Sequence, residues 1–282
     1  GLVKNKFSLD VCAVQNAARR AVRFDPGDNV MARRTGQELL ERLALLNLKP
    51  DSILDLGCGA GIEASLLRQQ YPDALIFGLD FCYTQLMAGA SGQSGKAVVG
   101  NVGDLPFRES VFDLVLCNLV LPWCDVEPVL QEIARVLRPG GALMVATFGP
   151  DTLSEVQRAW QDVDDCLHVH GFADMHDLGD ALIHAGFTEP VMDVQMLGLT
   201  YSYLEALVSD LRAMGGTNAL SERRRTLTGK NRWRAFTQAY PLVEADGGRF
   251  RATFELIYGV AWAKSETTVE NASLRVSFLD SP

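Results

Sequence analysis

Residues 55–61 read Asp-Leu-Gly-Cys-Gly-Ala-Gly, a glycine-rich turn that is the most informative stretch of the sequence. The apolar run Ser52–Leu56 leads into the turn and predicts a short buried strand, and Glu63–Tyr71 follows as a predicted helix. Because glycine has no Cβ, the backbone N–H groups of such a turn can approach a ligand closely. This order predicts a ligand at the carboxyl end of the strand, although dinucleotide-binding folds share the same arrangement.

The rest of the chain alternates between strands and helices. Apolar runs predict further strands at 74–80, 97–100, 112–119, 142–148, 191–201 and 250–262, the last one pairing antiparallel at the sheet edge. A helix over 126–137 is predicted to stop at Arg138-Pro139-Gly140-Gly141, with glycine as a left-handed cap. The alternation predicts an α/β fold with a doubly wound, mainly parallel, seven-stranded sheet of Rossmann-like type.

Helical stretches outside this alternation predict a cover for the ligand crevice. Residues 1–46 form a predicted N-terminal helical cap, and residues 47–264 form the main domain. A helical lid is predicted as an insertion over about 202–245, and residues 265–282 as a solvated tail.

Composition and charge exclude several classes of protein. No apolar run in the 282 residues approaches the ~20 that span a bilayer, so we expect no membrane partner and a cytoplasmic location. A net charge of −9 argues against nucleic acid as a partner, since phosphate binding needs clustered Lys and Arg. The segment 222–234 is the exception, because six of its residues are basic.

The cysteines and histidines do not predict a metal site. The six cysteines lie apart without a C-x-x-C pair, which suits a reduced compartment. The spacing of His168-Val169-His170 could serve a metal, but no third or fourth ligand is recognisable nearby. A polar loop is the better interpretation.

Three acids at strand ends predict a cationic ligand. Asp55 begins the glycine turn, where it would repel a pyrophosphate and bind an ammonium group. Asp80 ends the second strand, about 20 residues further on, where an acid accepts hydrogen bonds from ribose hydroxyls. Asp104 follows the third strand and could accept from an adenine amino group. The set predicts S-adenosyl-L-methionine as cofactor, against the alternative of an ordinary turn with polar residues.

Residues 45–150 resemble class I S-adenosylmethionine-dependent methyltransferases. Phe112-Asp113-Leu114-Val115 and Leu137-Arg138-Pro139-Gly140-Gly141 occur in the order and spacing of that family. The resemblance implies a set of cofactor-binding residues, namely Asp55, Gly57, Gly59, Gly61, Asp80, Phe81, Asp104, Leu105 and Asn118.

A narrower resemblance begins at Asn118-Leu119-Val120-Leu121-Pro122-Trp123-Cys124. It continues through Ala159-Trp160-x-x-Val163-Asp164 and residues 211–218 to Thr253–Gly259. These pieces are similar to BioC, the malonyl-acyl-carrier-protein O-methyltransferase family of biotin synthesis. The resemblance implies methylation of the free carboxylate of a malonyl thioester, with an acyl carrier protein as partner. We expect a monomer or a weak dimer.

The implied reaction requires that the substrate carboxylate be positioned next to the methyl group, and it requires no proton transfer. A carboxylate with a pKa near 4 is ionised at pH 7, so no general base is required and no catalytic residue is assigned. A cation must hold the carboxylate, and Arg does so bidentately. The candidates are Arg223, Arg225, Arg33, Arg34 and, as a weaker one, His168. Phe24-Asp25 departs from the Tyr-Asp or Tyr-Glu that is usual in BioC-like chains, so a hydroxyl is missing there.

Other functions are compatible with parts of the sequence. Phe24-Asp25, residues 148–153 and Asp177-Leu178-Gly179 also resemble complex I assembly factors, which are arginine hydroxylases on the same fold. An RNA methyltransferase could use residues 223–234 as a phosphate track, although Trp233 is the only aromatic residue in that run. The same segment could instead attract an acidic carrier protein. A scaffold that binds the nucleoside without catalysis would use the same acids.

Overall fold

The computed structural model describes residues 9–24, 29–89, 96–166, 168–169, 171–215, 228–243 and 247–265. The first part of the chain holds α1 (Val11–Ala21), α2 (Val30–Ala44), β1 (Ser52–Leu56), α3 (Ile62–Gln70), β2 (Leu75–Asp80), α4 (Tyr83–Gly89) and β3 (Lys96–Val99). Next come β4 (Phe112–Asn118), α5 (Val126–Val136), β5 (Leu137–Phe148), α6 (Ser154–Gln161) and α7 (Met175–His184). The last elements are β6 (Phe187–Tyr201), α8 (Leu204–Ala213), α9 (Lys230–Ala239), β7 (Leu242–Val243) and β8 (Arg249–Ala263).

A mostly parallel sheet organises these elements. Over the described residues its strands follow the order β3-β2-β1-β4-β5-β8-β6, and the short β7 pairs with β8 off this path. The first five strands pair in parallel, while β8 is antiparallel to both β5 and β6. The predicted α/β class and seven-stranded main sheet are confirmed. Strand order reverses between β1 and β4, where sheets of this kind bind ligands at their carboxyl ends.

Two predicted details are wrong. β8 is antiparallel as expected but lies between β5 and β6, so β6 forms the edge. Its stretch 256–258 is fully buried, as an interior strand requires. The helix before β5 ends at Val136, and its cap Leu137 is extended rather than a left-handed glycine. β5 begins at Leu137 because Leu137 already pairs with Phe112, and because the residue before Pro139 avoids the helical region.

The core occupies both faces of the sheet. Ile53 of β1 packs with the cluster that includes α2 and α3, whereas Leu54 packs with the cluster that includes α5 and α7. Because side chains alternate along a strand, Asp55 of β1 and Asn118 of β4 project toward the face that α2 and α3 cover. This alternation brings polar groups from separate elements together.

The helices outside the sheet differ in how they pack. α2 contributes Leu39 and Leu43, both fully buried, to the main core. α1 contacts α8, and α9 contacts α6, at the side of the molecule that holds the cavity described below. The division of the chain at residue 46 and the lid boundaries stay predictions. Residues 266–282 of the predicted tail lie outside the described residues.

Candidate functional site

A cavity of about 1190 Å³ opens at the carboxyl ends of β1, β2 and β4. Its polar wall consists of the turn 57–60, Glu63 at the start of α3, and residues 80–81 after β2. Its apolar wall comes from α1, α6, α8, α9 and neighbouring strands, and includes Phe148, Trp160, Phe172, Phe236 and Phe254. The cavity therefore offers acids and backbone groups on one side and a largely apolar surface on the other.

Two turn glycines shape the polar wall. Gly57 has a φ of 70° and Gly59 a φ of 51°, in the region that residues with a Cβ avoid. A Cβ at Gly57 would lie 2.3 Å from Cγ2 of Val120, whereas a Cβ at Gly59 would meet no atom within 4 Å. The Gly59 N–H donates to Oδ2 of Asp80 at 3.0 Å, which ties the turn to the end of β2. Gly61 is the left-handed N-cap of α3 and does not line the cavity.

Three carboxyl groups gather at the turn. Asp55 is 1% exposed, and its Oδ2 has no hydrogen-bond partner within the described part of the chain. Burial raises the pKa of Asp55 well above its usual value, and the charges of Glu63 and Asp80 raise it further. Burial also raises the pKa of Glu63, although a hydrogen bond from Asn118 lowers it in part. Burial likewise raises the pKa of Asp80, although hydrogen bonds from two backbone N–H groups lower it in part. A cationic ligand would favour the ionised forms, so the cluster suits a positively charged group.

Glu63 is a site residue that the sequence interpretation missed. Its Oε1 accepts a hydrogen bond from Nδ2 of Asn118 at 2.6 Å. The same amide donates to the carbonyl of Ala32 at 2.9 Å, and its Oδ1 accepts from the hydroxyl of Thr35 at 2.7 Å. Asn118 therefore joins α2, α3 and β4 at the cavity. An acid in the first turn of a helix is the ordinary complement of the helix dipole, so the sequence holds no signal that distinguishes Glu63.

The predicted cofactor residues are only partly brought together. Those that line the cavity are Gly57, Gly59, Asp80, Phe81 and Asn118. Asp55, Gly61, Asp104 and Leu105 are not among the lining residues, and Asp55 is buried beneath the turn residues that are. Asp104 is exposed and forms a bridge with Asn101, while the N–H of Leu105 donates to Oε2 of Glu132 at 2.7 Å. Asn101 lines the cavity from the same loop, and adenine binding by Asp104 stays a prediction.

A stack of rings forms part of the apolar wall. Trp160 of α6 stacks on His168, with centroids 3.8 Å apart, and on Phe236 of α9, with centroids 4.5 Å apart. Nε2 of His168 lies 2.9 Å from Oδ1 of Asp164, and Arg232 of α9 forms an ion pair with the same carboxylate. Asp164 thus joins His168 to α9. Arg232 is engaged in this ion pair, which weakens the expectation that it steers a carrier protein.

The cations predicted to hold a substrate carboxylate occupy different places. His168 lines the cavity. Arg33 and Arg34 are exposed on α2 and do not line it. Arg223 and Arg225 lie outside the described residues.

Arg212 is a cavity-lining cation that the sequence interpretation missed. It lies in the last turn of α8 and reaches the cavity together with its neighbours 213–215. Residues 211–218 stood out in the sequence for their resemblance to a family. Helical periodicity did not show which of their side chains meets a cavity, because that depends on how α8 packs against α1.

The thiols at the cavity are not activated. Cys58 and Cys124 both line it. Burial, followed by nearby carboxylates, raises the pKa of the Cys58 thiol, and burial likewise raises that of Cys124. A thiolate nucleophile is therefore disfavoured here. None of the six cysteines, all of them described, forms a disulfide.

The described ranges hold neither a metal-binding group of side chains nor a membrane-spanning helix. There, no three or more His, Cys, Asp or Glu side chains are grouped so that they could hold a metal ion. His170, which raised that question in the sequence, lies outside those ranges. No described helix combines the length and apolar character needed to cross a membrane.

The chain matches a domain family and named relatives. The methyltransferase domain family matches residues 54–145, from β1 into β5. The malonyl-acyl-carrier-protein O-methyltransferase of Nitrosospira multiformis is 37% identical, over 92% of this chain and 91% of that protein. The malonyl-acyl-carrier-protein O-methyltransferase 1 of Coxiella burnetii is also 37% identical, over 96% of this chain and 94% of that protein. The chain belongs to the malonyl-acyl-carrier-protein O-methyltransferase family.

Solved structures agree with the fold of this O-methyltransferase family member. The YcgJ protein of Bacillus subtilis superposes with a TM-score of 0.57 at 16% identity, over 81% of this chain and 99% of that chain. The cyclase SpnF has a TM-score of 0.54 at 17% identity, over 83% and 81% of the two chains. Such likeness shows the fold alone, and one fold hosts several chemistries. The two sequence relatives carry the family assignment over most of the chain.

Proposed function

We propose that this protein transfers a methyl group from S-adenosyl-L-methionine to the free carboxylate of a malonyl thioester on acyl carrier protein. The observation that carries the proposal is 37% identity, over 92% and 96% of this chain, to two relatives of that name. The methyl ester would serve biotin synthesis, as the family resemblance implies. We place the reaction in the cytoplasm, where cysteine thiols stay reduced.

The polar wall fits the cofactor. The orphaned carboxylate oxygen of Asp55 and the raised pKa values of Asp55, Glu63 and Asp80 suit the ammonium and sulfonium charges of S-adenosylmethionine. Asp80 is the acid at the end of β2 that would accept from the ribose hydroxyls. The turn at Gly57 and Gly59 lets backbone approach the ligand without a Cβ in between. When bound, the cofactor supplies an electrophilic methyl group.

The chain's own residues contribute placement and a dry cavity. The acceptor carboxylate is ionised at neutral pH, so the protein need not remove a proton from it. The aromatic residues of the apolar wall, such as Trp160 and Phe236, exclude water and so strengthen attraction between opposite charges. Asn118 fixes α2 and α3 beside β4 and keeps the polar wall in shape.

A methyl-transfer assay tests the proposal. Purified protein receives labelled S-adenosylmethionine with malonyl-carrier, acetyl-carrier and malonyl-coenzyme A in parallel. We expect label on malonyl-carrier and none on acetyl-carrier, and the coenzyme A arm shows whether the carrier is needed. Absence of transfer to both malonyl thioesters would refute the proposal.

The two alternatives have their own outcomes. Mass increase by one oxygen on an arginine of a partner chain would support the hydroxylase that the sequence also resembles. A salt-dependent shift of bulk RNA, together with methylation of it, would support an RNA methyltransferase. The named relatives support neither alternative, since their names are those of O-methyltransferases.

A further inference from the structure

A negatively charged acceptor faces an electrostatic obstacle in this cavity. Three of the lining side chains are acids, namely Glu63, Asp80 and Asp125. These acids suit the cationic cofactor but repel a second carboxylate. The malonyl group of the proposed substrate therefore needs a fixed positive charge on the apolar wall, away from the three acids.

One basic side chain meets this need. Among the residues that the structure describes, Arg212 is the single Arg or Lys that lines the cavity. It is the second-last residue of α8, and a Cβ built on Gly215, two residues after the helix, would lie 4.0 Å from Cα of Ala18 in α1, so the end of α8 packs against α1. Within the described chain, the Arg212 guanidinium forms no ion pair and no side-chain hydrogen bond. Its donors are therefore available to a ligand.

The other nearby cations are engaged or misplaced. Arg232 forms an ion pair with Asp164. His168 lines the cavity, but its Nε2 interacts with Asp164 at 2.9 Å and its ring stacks on Trp160. Arg34 lies on the exposed side of α2 and does not reach the cavity.

We propose that Arg212 binds the free carboxylate of the malonyl group and thereby makes the enzyme select a diacid thioester. This inference rests on the proposed function. The guanidinium presents two parallel N–H donors that match both carboxylate oxygens, which a lysine cannot do. Methyl transfer turns the carboxylate into a neutral ester, so the same arginine holds the substrate and lets the product go.

The test compares binding of charged and uncharged carriers. Affinities of malonyl-carrier and acetyl-carrier are measured for wild type, Arg212→Met and Arg212→Lys, each saturated with S-adenosylhomocysteine. We expect wild type to prefer malonyl-carrier by roughly 10–100-fold, as a charge-assisted bidentate contact provides, and Arg212→Met to lose that preference. Arg212→Lys should keep part of it. In turnover, Arg212→Met should raise KM for malonyl-carrier by a similar factor.

Two controls separate this role from a structural one. Arg19 is an exposed residue of α1 whose side chain does not line the cavity, so Arg19→Met should leave the preference unchanged. Calorimetric binding of S-adenosylhomocysteine to Arg212→Met should match wild type, because the polar wall is untouched. If Arg212→Met binds S-adenosylhomocysteine normally and still prefers malonyl-carrier, the inference is wrong. Loss of the preference in Arg223→Met or Arg225→Met, with Arg212→Met unaffected, would also overturn it.

Failure of the proposed function is distinguishable from failure of this inference. If wild type methylates neither malonyl thioester, the proposed function fails first. If wild type methylates malonyl-carrier and Arg212→Met does so with an unchanged KM, only the assignment of Arg212 fails.

Discussion

Gly57 and Gly59 both have positive φ, but only Gly57 has a neighbour where a Cβ would stand. A left-handed conformation costs an ordinary residue roughly 1–2 kcal/mol, and overpacking adds roughly 1–3 kcal/mol. We therefore expect Gly57→Ala to lower the free energy of unfolding by about 2–5 kcal/mol and Gly59→Ala by about 1–2 kcal/mol. Urea denaturation of wild type and both variants measures these changes in the free energy of unfolding. Equal losses would contradict the close approach of Val120 to the turn.

Asp55 offers a second prediction at the scale of one side chain. Asp55→Asn keeps the shape but removes the charge that would face a ligand's ammonium group. We expect affinity for S-adenosylhomocysteine to fall roughly 10–100-fold, in line with hydrogen bonds to charged groups. Titration calorimetry measures the change, and Asp73→Asn, on the exposed loop before β2, is the matched control. An unchanged affinity would remove Asp55 from the proposed cofactor set.

Among elements, α9 is held to α6 by a small number of specific contacts. Phe236 stacks on Trp160, and Arg232 pairs with Asp164 beside the same ring. Arg232→Met removes the ion pair with Asp164 and leaves the ring stack between Phe236 and Trp160. We expect amide hydrogens of α9 to exchange roughly tenfold faster while those of the sheet stay unchanged, since local opening depends on local contacts.

The control for this prediction lies on the same helix. Arg234 is exposed, so Arg234→Met should leave exchange in α9 as it is in wild type. Hydrogen exchange detected by mass spectrometry measures the exchange rates of the α9 amides in both variants. Equal acceleration in the two would show that the Asp164 ion pair does not hold α9.

The order of elements was predictable because its signals are local. Apolar runs and glycine turns marked the strands and helices from β1 to β5. The end of α5 was predicted incorrectly, because a proline, and not a glycine cap, sets where the helix stops. Gly140 does have a φ of 76°, but the chain is already extended at Leu137, ahead of Pro139.

For the whole molecule, the buried acids predict a pH dependence of stability. Asp55, Glu63 and Asp80 have raised pKa values in the folded protein. A folded state that holds a proton more tightly than the unfolded state loses the associated stability as pH rises through the raised pKa. We expect the free energy of unfolding of ligand-free wild type to fall, relative to Asp55→Asn, as pH rises from about 4.

Denaturant titrations of the two proteins at several pH values measure this difference. A difference that stays constant with pH would mean that Asp55 ionises in the folded protein as easily as in the unfolded chain. Saturation with S-adenosylhomocysteine should reduce the loss in wild type, because the ligand's ammonium group stabilises the ionised acid.

The α/β class, the glycine turn and the acids at the ends of β1 and β2 were predictable from the sequence alone. Those features depend on residues close together in the chain, whose spacing reports directly on strands and turns. Three features became visible only in the folded protein: Glu63 and Thr35 hydrogen-bond to Asn118, Arg232 forms an ion pair with Asp164, and Arg212 lines the cavity. These contacts join residues that are far apart in the chain, and they form only when the helices pack on the sheet. No local periodicity records that packing.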